Sequence, residues 1–536
     1  MTKGKFDFDA IVVGAGFSGM YQLHLLRDKL GLNVLGIEAG GGVGGTWYWN
    51  RYPGARCDSE SHSYNYFFSD EIIQNWEWSE RYPGQEEIRR YLNYVADTLQ
   101  LRSSFEFNSR VVGARFHEDL GGWSVTTENG VTRTCQFFIT AVGCLSSANM
   151  PNIKGLEKFQ GSYYHTGNWP HEGVDFSGKR VGQIGTGSTG IQCVPVIAQT
   201  AKELRVFQRT ANYSIPAHNG PLDDEFKQHV KDNIDYYRAL VKKTPNAHPF
   251  EISPTKAFDV DDETRLDIYN KAWQKGGLQF RASFQDLLAD DEANKTAAEF
   301  IKEQIRKVVS NKETAEKLAN IDHPFATKRP PIDSHYFETY NEDHVHLIDV
   351  RSDPIDHIDE LGLVLSSGAR HDLDIIVFAT GFDAMTGSLL NLNITGKQGQ
   401  PLKDAWSAGP YTYLGLQVSG FPNMFTITGP GSPSVLCNMP VAIEQHVEWI
   451  ADCIAYMREH DHQLIETDDE HCKNWVAEVN RAAEATLLPK ANHSWYLGAN
   501  VPGKPRVFMP YAGGMHHYRK ICDDVQMEGY AGFHLQ

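Results

Sequence analysis

The chain has 536 residues and a formal net charge of -18. A protein that binds nucleic acid needs clustered lysine and arginine on its binding face, so this charge argues against a nucleic-acid partner. Hydrophobic residues make up 41% and charged residues 22%, which is typical of a globular enzyme with two or three domains. No apolar run approaches the roughly 18 to 20 residues that span a bilayer. The sequence also lacks a leader peptide, so we expect a cytoplasmic protein with no membrane partner.

Eight cysteines are scattered along the chain, and the closest two are nine positions apart. Because a dithiol redox site needs a short cysteine pair, this spacing excludes a pyridine nucleotide–disulfide reductase. We expect buried thiols in a reducing compartment and no metal site. The sequence leaves the oligomeric state open between a monomer and a weak homo-oligomer.

The first predicted strand ends in a glycine-rich turn. The apolar run DFDAIVVGAG leads into GAGFSG, which supplies Gly14, Gly16 and Gly19. A segment with apolar residues at helical spacing follows, and then a second strand that ends at Glu38. A carboxylate at the end of such a strand–helix–strand unit accepts hydrogen bonds from a ribose diol. This unit therefore predicts an FAD site.

A second unit of the same kind begins 171 residues later. The strand KRVGQI leads into GTGSTG, which supplies Gly185, Gly187, Ser188 and Gly190. The residue that follows the next strand is a base, Arg209, in place of the acid of the first unit. A guanidinium there can hold a 2′-phosphate, so the second unit predicts an NADP(H) site.

The order of these patterns predicts an α/β fold with two Rossmann-like dinucleotide-binding domains. We assign residues 1–145 and 386–536 to the FAD domain and residues 150–221 and 326–385 to the NADP domain. Residues 222–325 are rich in charge and poor in glycine, with apolar positions at helical spacing, and predict a helical insert. The segments VVGARFHED, GWSVTTENG and TCQFFITAVG predict short strands that form a side sheet and the return to the first domain.

Residues 41–60 combine glycines, aromatic side chains and charges in GGVGGTWYWNRYPGARCDSE. Gly45 lets the backbone approach a ligand closely, and Trp47 supplies a flat wall beside Thr46. Such a segment suits the edge of a flavin ring, with Asp58 as one of its placed charges. An aromatic core loop with a surface ion pair explains the composition equally well.

The segment FQGSYYHTGNWP lies between the two units. By chemistry alone its histidine is a packing residue, because no acid or cysteine partner is near in sequence. The pattern FxGxxxHxxxWP, however, resembles the fingerprint of the type I Baeyer–Villiger monooxygenases. The matching residues are Phe159, Gly161, His165, Trp169 and Pro170.

The resemblance covers essentially the whole chain and includes the segments PFATKR, ATGFDA and SWYLGANVPGKPR. It implies that NADPH reduces FAD and that the resulting C4a-peroxyflavin inserts one oxygen next to a ketone carbonyl. The product is an ester or lactone, and sulfoxidation of thioethers is an implied side activity. An N-hydroxylating or FMO-type flavin monooxygenase is the alternative, and a redox sensor without turnover is a more distant one.

The segment PFATKR supplies two basic residues. Lys328 could join Arg209 at the 2′-phosphate, where the Thr210 hydroxyl adds a further donor. A lysine–arginine pair is otherwise typical of a solvated surface. The resemblance implies that Arg329 is the catalytic cation, that Asp58 pairs with it, and that His165 acts in domain movement.

Two segments near the C-terminus are further site candidates. The resemblance implies that Trp495 contacts bound NADP. The loop GPGSPSVLCNMP is rich in glycine, proline and serine, and the matching loop lines the substrate pocket in phenylacetone-type members of the family. The predicted pocket residues are Ser434, Val435, Leu436 and Met439.

Overall fold

The structure, a computed structural model, describes residues 5–536. The chain begins with the predicted strand–helix–strand unit and continues into four further strands. A π-helical turn at Leu25–Lys29 extends the first helix, and short 3₁₀ helices occur at Ser61–Ser63 and Arg102–Ser104. Up to residue 140 the elements are β1 (Phe8–Val13), α1 (Phe17–His24), β2 (Val34–Ile37), α2 (Thr46–Trp49), α3 (Asp70–Asn75), α4 (Gln85–Thr98), β3 (Phe105–Glu106), β4 (Val111–His117), β5 (Gly122–Thr127) and β6 (Thr132–Thr140).

These six strands lie in one sheet in the order β4-β5-β6-β1-β2-β3. The side sheet expected for β4, β5 and β6 is not a sheet of its own, while the expected return to the first domain is present, because β6 pairs with β1. Strand β6 has nine residues and is long enough to pair with more than one strand. Its residues 132–135 pair antiparallel with β5, and its residues 135–140 pair in parallel with β1. The hairpin thus continues the parallel sheet.

The second nucleotide-binding unit follows a 3₁₀ turn at Leu156–Lys158. One additional strand begins this unit, and the predicted strand, turn, helix and strand follow it. A further 3₁₀ turn lies at Thr166–Asn168. The elements are β7 (Ser162–His165), β8 (Arg180–Ile184), α5 (Ser188–Ala198), β9 (Glu203–Gln208) and β10 (Ile215–Pro216).

The predicted insert is helical and contains one additional 3₁₀ turn, Leu278–Ala282. Its helices are α6 (Asp224–Asp232), α7 (Ile234–Lys243), α8 (Asp262–Lys275), α9 (Asp291–Val308) and α10 (Lys312–Ala319). Short polar side chains cap the N-termini of four of them, which satisfies backbone N–H groups that lack helical partners. The capping residues are Asp223, Asp261, Asp290 and Asn311.

The insert packs against both nucleotide-binding units. Ile234 and Val241 of α7 are buried in the hydrophobic core of the first unit. Tyr269 of α8 and Phe300 of α9 are buried in the core of the second unit. The insert therefore connects the two units physically, and its contacts are not confined to the NADP side.

The chain then completes the second sheet and a small antiparallel one. The elements are β11 (Ile332–Asp333), α11 (Tyr336–Thr339), β12 (Val345–Asp349), β13 (Ile355–Ile358), β14 (Gly362–Leu365), β15 (Arg370–Asp372) and β16 (Ile375–Phe378). The second sheet is parallel throughout, with the order β12-β9-β8-β16-β7. The strands β13, β14 and β15 form the antiparallel sheet, and β10 pairs with β11.

The last part of the chain returns to the first sheet. Its elements are α12 (Gly387–Leu390), β17 (Ile394–Thr395), α13 (Leu402–Ala405), β18 (Met424–Thr426), α14 (Met439–Glu459), β19 (Ile465–Thr467), α15 (Asp469–Glu484), α16 (Met515–Met527) and β20 (Phe533–Leu535). Strand β17 pairs with β4, and β18 pairs with β6. The return predicted after residue 385 is thus present, while the domain bounds stay a prediction. Within residues 5–536, no helix is both long and apolar enough to cross a membrane.

Candidate active site

The first glycine turn has the backbone geometry of a phosphate-binding turn. Gly14 has a φ of +111°, which favours glycine, and it starts the turn after β1. A Cβ at Gly19 would lie 1.8 Å from the Gly14 carbonyl oxygen, so only glycine lets α1 pack this closely. Helix α1 has no side-chain cap and no acid in its first turn. Its free N–H groups can therefore receive the pyrophosphate of FAD.

Glu38 is buried at the end of β2, beside this turn. Its carboxylate accepts the N–H groups of Ala15 and Gly40, each at 2.7 Å. Burial raises the pKa of Glu38 against the effect of these hydrogen bonds. An ionised carboxylate offers about four acceptor positions, so it can still accept hydrogen bonds from a ribose diol. The residues present fit FAD.

The second glycine turn repeats this geometry. Gly185 has a φ of +112°, and a Cβ at Gly190 would lie 2.2 Å from the Gly185 carbonyl oxygen. A Cβ at Gly187 would meet no atom within 4 Å, so this position faces open space that a pyrophosphate can approach. Helix α5 begins at Ser188 with no capping side chain and no acid in its first turn.

The basic residues predicted for the 2′-phosphate lie near one another. Burial lowers the pKa of Lys328, Asp322 raises it, and the positive charge of Arg209 lowers it further. The carbonyl oxygen of Thr210 accepts a 2.9 Å hydrogen bond from the Thr186 hydroxyl in the second turn. The two cations and the second turn thus share one end of the NADP unit, which fits a 2′-phosphate.

The glycines of residues 41–60 lie directly on the first turn. The Gly44 N–H donates to the Ala15 carbonyl at 2.9 Å. A Cβ at Gly45 would lie 2.8 Å from the Gly16 Cα. The segment therefore borders the predicted FAD site, as its glycine content suggested.

Of the aromatic residues in this segment, Trp47 belongs to the core, while Tyr48 and Trp49 are half-buried. Helix α2 begins at Thr46, and its second residue, Trp47, is buried. The Trp47 indole N–H donates to the Tyr64 hydroxyl at 3.1 Å. Trp47 packs in the core while the glycines approach the turn, and contact of this segment with a flavin ring stays a prediction.

Arg329 and Asp58 form a bidentate ion pair. The Arg329 Nε donates to Asp58 Oδ2 at 2.6 Å, and Nη2 donates to Oδ1 at 2.8 Å. The Arg329 Nη1 donates to the Val435 carbonyl at 3.2 Å. Burial lowers the pKa of Arg329, but the charge and hydrogen bonds of Asp58 outweigh burial and raise it above its ordinary value. The guanidinium is thus a permanent, fixed cation.

An apolar cluster adjoins this ion pair at Val435, whose carbonyl accepts the hydrogen bond from Arg329. It joins Val435, Leu436 and Met439 of the predicted substrate loop to Trp495. The Ser434 hydroxyl contacts the Met385 sulfur at 3.9 Å. Sequence reasoning missed several members of the cluster that follow the carboxyl ends of β6 and β16, where ligands bind in open α/β sheets. They are Cys144, Leu145, Ala384 and Met385.

The fingerprint histidine ends β7 at the start of the second nucleotide-binding unit. The Nδ1 atom of His165 accepts the Gly167 N–H at 3.0 Å, and its Nε2 lies 3.2 Å from the Thr380 hydroxyl. That hydroxyl donates to the Asn149 carbonyl, so a neutral ring with a proton on Nε2 satisfies every group. Burial lowers the pKa of His165, in agreement with the neutral form.

The other fingerprint residues have packing roles. Phe159 and Trp169 are buried in two separate hydrophobic cores. A Cβ at Gly161 would lie 2.4 Å from the Asp374 carbonyl oxygen, so a side chain has no room there. The Pro170 carbonyl accepts the N–H of Gly173 at 3.2 Å and closes the turn after Trp169.

Arg281 is a second arginine of the site that sequence reasoning missed. It belongs to the 3₁₀ turn between α8 and α9, within the insert. Burial lowers the pKa of Arg281 to about 10, and the charge of Arg329 contributes to the decrease. Tyr496 and Cys437 lie close enough to affect it as well. A charged residue within the apolar run LQFRASF was the one available sequence signal.

Comparison with known proteins identifies the family. The profile of the family described as FMO-like, flavin-binding monooxygenase-like, matches residues 9–219. A Baeyer–Villiger monooxygenase from Pseudooceanicola batsensis is 45% identical over 527 residues, which cover 98% of this chain and 95% of the relative. The chain belongs to the type I Baeyer–Villiger monooxygenases. This membership confirms the predicted family, enzyme class and pair of cofactors.

Two further relatives define the fold and the range of chemistry. A solved structure of oxidized steroid monooxygenase bound to NADP is 50% identical, with a TM-score of 0.94 and coverage of 98% of this chain and 99% of that chain. It confirms the predicted fold class. A phenazine N-monooxygenase from Lysobacter antibioticus is 39% identical over 537 residues, covering 100% of this chain and 98% of the relative. The family fold therefore also occurs in a protein named for oxygenation at nitrogen.

Proposed function

We propose that this protein inserts one oxygen atom of dioxygen next to a ketone carbonyl and so makes an ester or lactone. FAD and NADPH are the cofactors, and we propose that FAD binds at Glu38 and NADPH at Arg209. Bound FAD, reduced by NADPH, supplies the electrons that activate dioxygen. The observation that carries the proposal is Arg329, a cation fixed by two hydrogen bonds to Asp58 beside an apolar cluster.

Arg329 provides a donor to the reacting oxygen atoms. A guanidinium has five N–H groups. Asp58 accepts two of them, the Val435 carbonyl accepts one and the Ser59 hydroxyl accepts one at 3.5 Å, so one N–H of Nη1 remains for the substrate carbonyl or the attacking oxygen. A fixed donor of this kind in a site shielded from water contributes about 3 to 4 kcal/mol to stabilising a developing oxyanion. Asp58 orients the guanidinium, and the apolar cluster excludes water.

The position of Trp495 supports a role in binding NADP. Its half-buried ring packs edge to face on Tyr496, with ring centres 4.5 Å apart. The same apolar cluster contains the substrate loop residues Val435, Leu436 and Met439. We infer that Trp495 contacts bound NADP and that the loop residues contact the ketone.

Oxygenation at nitrogen is a second candidate function, favoured by the similarity to the Lysobacter N-monooxygenase. The apolar cluster beside Arg329 would then bind an aromatic nitrogen compound or an amine in place of a ketone. Oxidation of a thioether to a sulfoxide is a proposed side activity of either enzyme. A neutral thioether and a neutral ketone make the same apolar contacts.

The deciding experiment uses purified holoenzyme, NADPH and oxygen-18 gas. Separate reactions contain cyclohexanone, acetophenone, 2-hexanone, phenazine, benzylamine or methyl phenyl sulfide. Mass spectrometry is expected to show one heavy oxygen inserted into at least one ketone, at a higher rate than into phenazine or the amine. A labelled N-oxide or hydroxylamine without any ester or lactone would favour the second candidate.

The cellular setting is inferred from the thiols. All eight cysteines are free and buried, which is typical of a reducing compartment such as the cytoplasm. We infer a cytoplasmic enzyme that acts as a monomer or weak homo-oligomer, with dioxygen as its second substrate.

A further inference from the structure

A buried asparagine of the helical insert holds the backbone just before the two basic residues of the site. Asn294 lies in the first turn of α9 and keeps only 2% of its surface exposed. Its side-chain amide donates to the carbonyls of Leu287 and Phe325 at 2.6 and 2.9 Å, and its Oδ1 accepts the Phe325 N–H at 2.8 Å. An asparagine side chain carries donors and an acceptor on one planar group, so it satisfies both backbone groups of Phe325 at once. Lys328 and Arg329 follow Phe325 by three and four positions.

The chain between Phe325 and Lys328 has little room to move. Phe325, Ala326 and Thr327 are all buried, with 0, 4 and 0% of their surface exposed. The Thr327 hydroxyl and N–H both donate to the Pro324 carbonyl, at 2.7 and 3.3 Å, and close a turn. Close-packed residues transmit a displacement to their neighbours. A shift of Phe325 is therefore expected to move the two basic residues as well.

The other end of this segment is also fixed. Pro330 and Pro331 follow Arg329, and a proline ring restricts its own φ angle. The Pro331 carbonyl accepts the Ile215 N–H at 3.0 Å and the Ser214 hydroxyl at 3.2 Å. The segment that carries both basic residues is thus held between the insert on one side and β10 on the other.

Ala326 shows that the hydrogen bonds of Asn294 act against backbone strain. Its φ is +60°, in the left-handed region that a residue with a Cβ rarely adopts. Such a conformation persists only where the surrounding contacts hold it in place. Asn294 holds the preceding residue by both of its backbone groups. Without these bonds, the strained turn is expected to relax and to displace Lys328 and Arg329.

We propose that Asn294 is a positioning residue for both Lys328 and Arg329, so that one side chain of the insert governs coenzyme selection and oxygen insertion together. This inference rests on the proposed function, in which Arg329 acts in ketone oxygenation and Lys328 binds the 2′-phosphate. Asn294 acts through the backbone of Phe325, which precedes both cations. Loss of its amide therefore affects two separate measurable properties of the enzyme.

The test compares Asn294→Ala with a matched control, Asn423→Ala. Asn423 is also fully buried, and its amide joins a distant backbone segment in the same way. It donates to the Gln463 carbonyl at 2.9 Å and accepts the Ile465 N–H at 2.9 Å. Each FAD-loaded variant is assayed for the KM of NADPH and of NADH, for ester formed per NADPH oxidised, and for its thermal unfolding temperature. The ketone is the one that the wild type converts fastest.

Asn294→Ala is expected to lower ester formation about 100-fold, since a misplacement of about 1 Å at a catalytic group costs about that factor. NADPH oxidation is expected to continue and to yield hydrogen peroxide. The KM for NADPH is expected to rise about 10-fold with little change for NADH, because the displaced Lys328 loses its charge-assisted bond to the 2′-phosphate. Asn423→Ala is expected to lower only the unfolding temperature.

A second substitution keeps the test decisive if Asn294→Ala fails to fold. Glycine adopts a positive φ at little cost, so Ala326→Gly removes the strain that Asn294 holds. The double variant is expected to fold and to recover part of the ester yield and part of the NADPH affinity. Relative to Ala326→Gly alone, it is still expected to form less ester and to show a higher KM for NADPH.

Two results would overturn the inference. A wild-type ester yield together with an unchanged ratio of the KM values for NADPH and NADH in Asn294→Ala would show that its amide does not position the two cations. Equal losses in Asn294→Ala and Asn423→Ala would assign Asn294 to general stability. Absence of ester from the wild type with every ketone would contradict the proposed function itself, and the KM ratio of the two coenzymes would still decide whether Asn294 positions Lys328.

Discussion

The role of Asp58 gives a quantitative prediction. Asp58→Asn keeps the shape of the side chain but removes the negative charge that Arg329 contacts at 2.6 and 2.8 Å. Breaking a buried ion pair costs about 3 to 5 kcal/mol, and we expect the lower value because the two side chains keep 20% and 25% of their surface exposed. The guanidinium also loses its fixed orientation. A misplacement of about 1 Å costs about 100-fold in rate, so ester formation is expected to fall by that factor.

The assay measures ester, hydrogen peroxide and NADPH consumption with the same purified variant. NADPH oxidation is expected to continue and to yield hydrogen peroxide in place of ester. Asp374→Asn is the matched control, because Asp374 also pairs with an arginine, Arg180, at 2.9 Å but lies away from the site. An Asp58→Asn enzyme with wild-type ester formation would refute the reasoning. The double variant with Arg329→Ala is expected to be no slower than Arg329→Ala alone.

The remaining predictions concern cofactor choice, flavin loading and acid stability. Arg209→Ala and Lys328→Ala are each expected to raise the KM for NADPH about 10- to 100-fold with little change for NADH, because charge-assisted bonds to the 2′-phosphate are lost; equal losses for both coenzymes would place the phosphate site elsewhere. Gly19→Ala puts a methyl group 1.8 Å from a backbone oxygen, so the purified variant is expected to lack visible flavin absorbance; a normal yellow protein would contradict this. Burial lowers the pKa of His446 from its ordinary value of 6.5 to about 3. Protonation of the unfolded chain below pH 6.5 therefore destabilises the fold by about 2 kcal/mol at pH 5. His446→Gln is expected to lose less thermal stability between pH 7 and pH 5 than the wild type does, and an identical loss would assign the acid sensitivity to other groups.

Local sequence patterns predict the nucleotide-binding turns well, because their constraints are local. Gly14 and Gly185 need positive φ angles, and Gly19 and Gly190 need the absence of a side chain. The placement of the β4–β5 hairpin depends on long-range pairing instead. Strand β6 pairs with β5, β1 and β18, and the alternation of its side chains does not indicate how many partners it has.

The catalytic site is harder to read from the sequence, because its residues are far apart along the chain. Arg329 and Asp58 are separated by 271 positions, and the resemblance to a family, not their spacing, brought them together. Neither local sequence patterns nor the family resemblance identified Arg281. It lies in an insert without a nucleotide-binding motif, and only the folded chain places it beside Arg329.

The role of Arg329 is tested most directly by one product measurement. Wild-type enzyme and Arg329→Ala are each incubated with NADPH, oxygen-18 gas and the ketone that the wild type converts fastest. The wild type is expected to release an ester or lactone with one heavy oxygen atom, while the variant retains FAD, oxidises NADPH and releases no labelled ester or lactone. Labelled ester from Arg329→Ala at the wild-type rate would contradict the account.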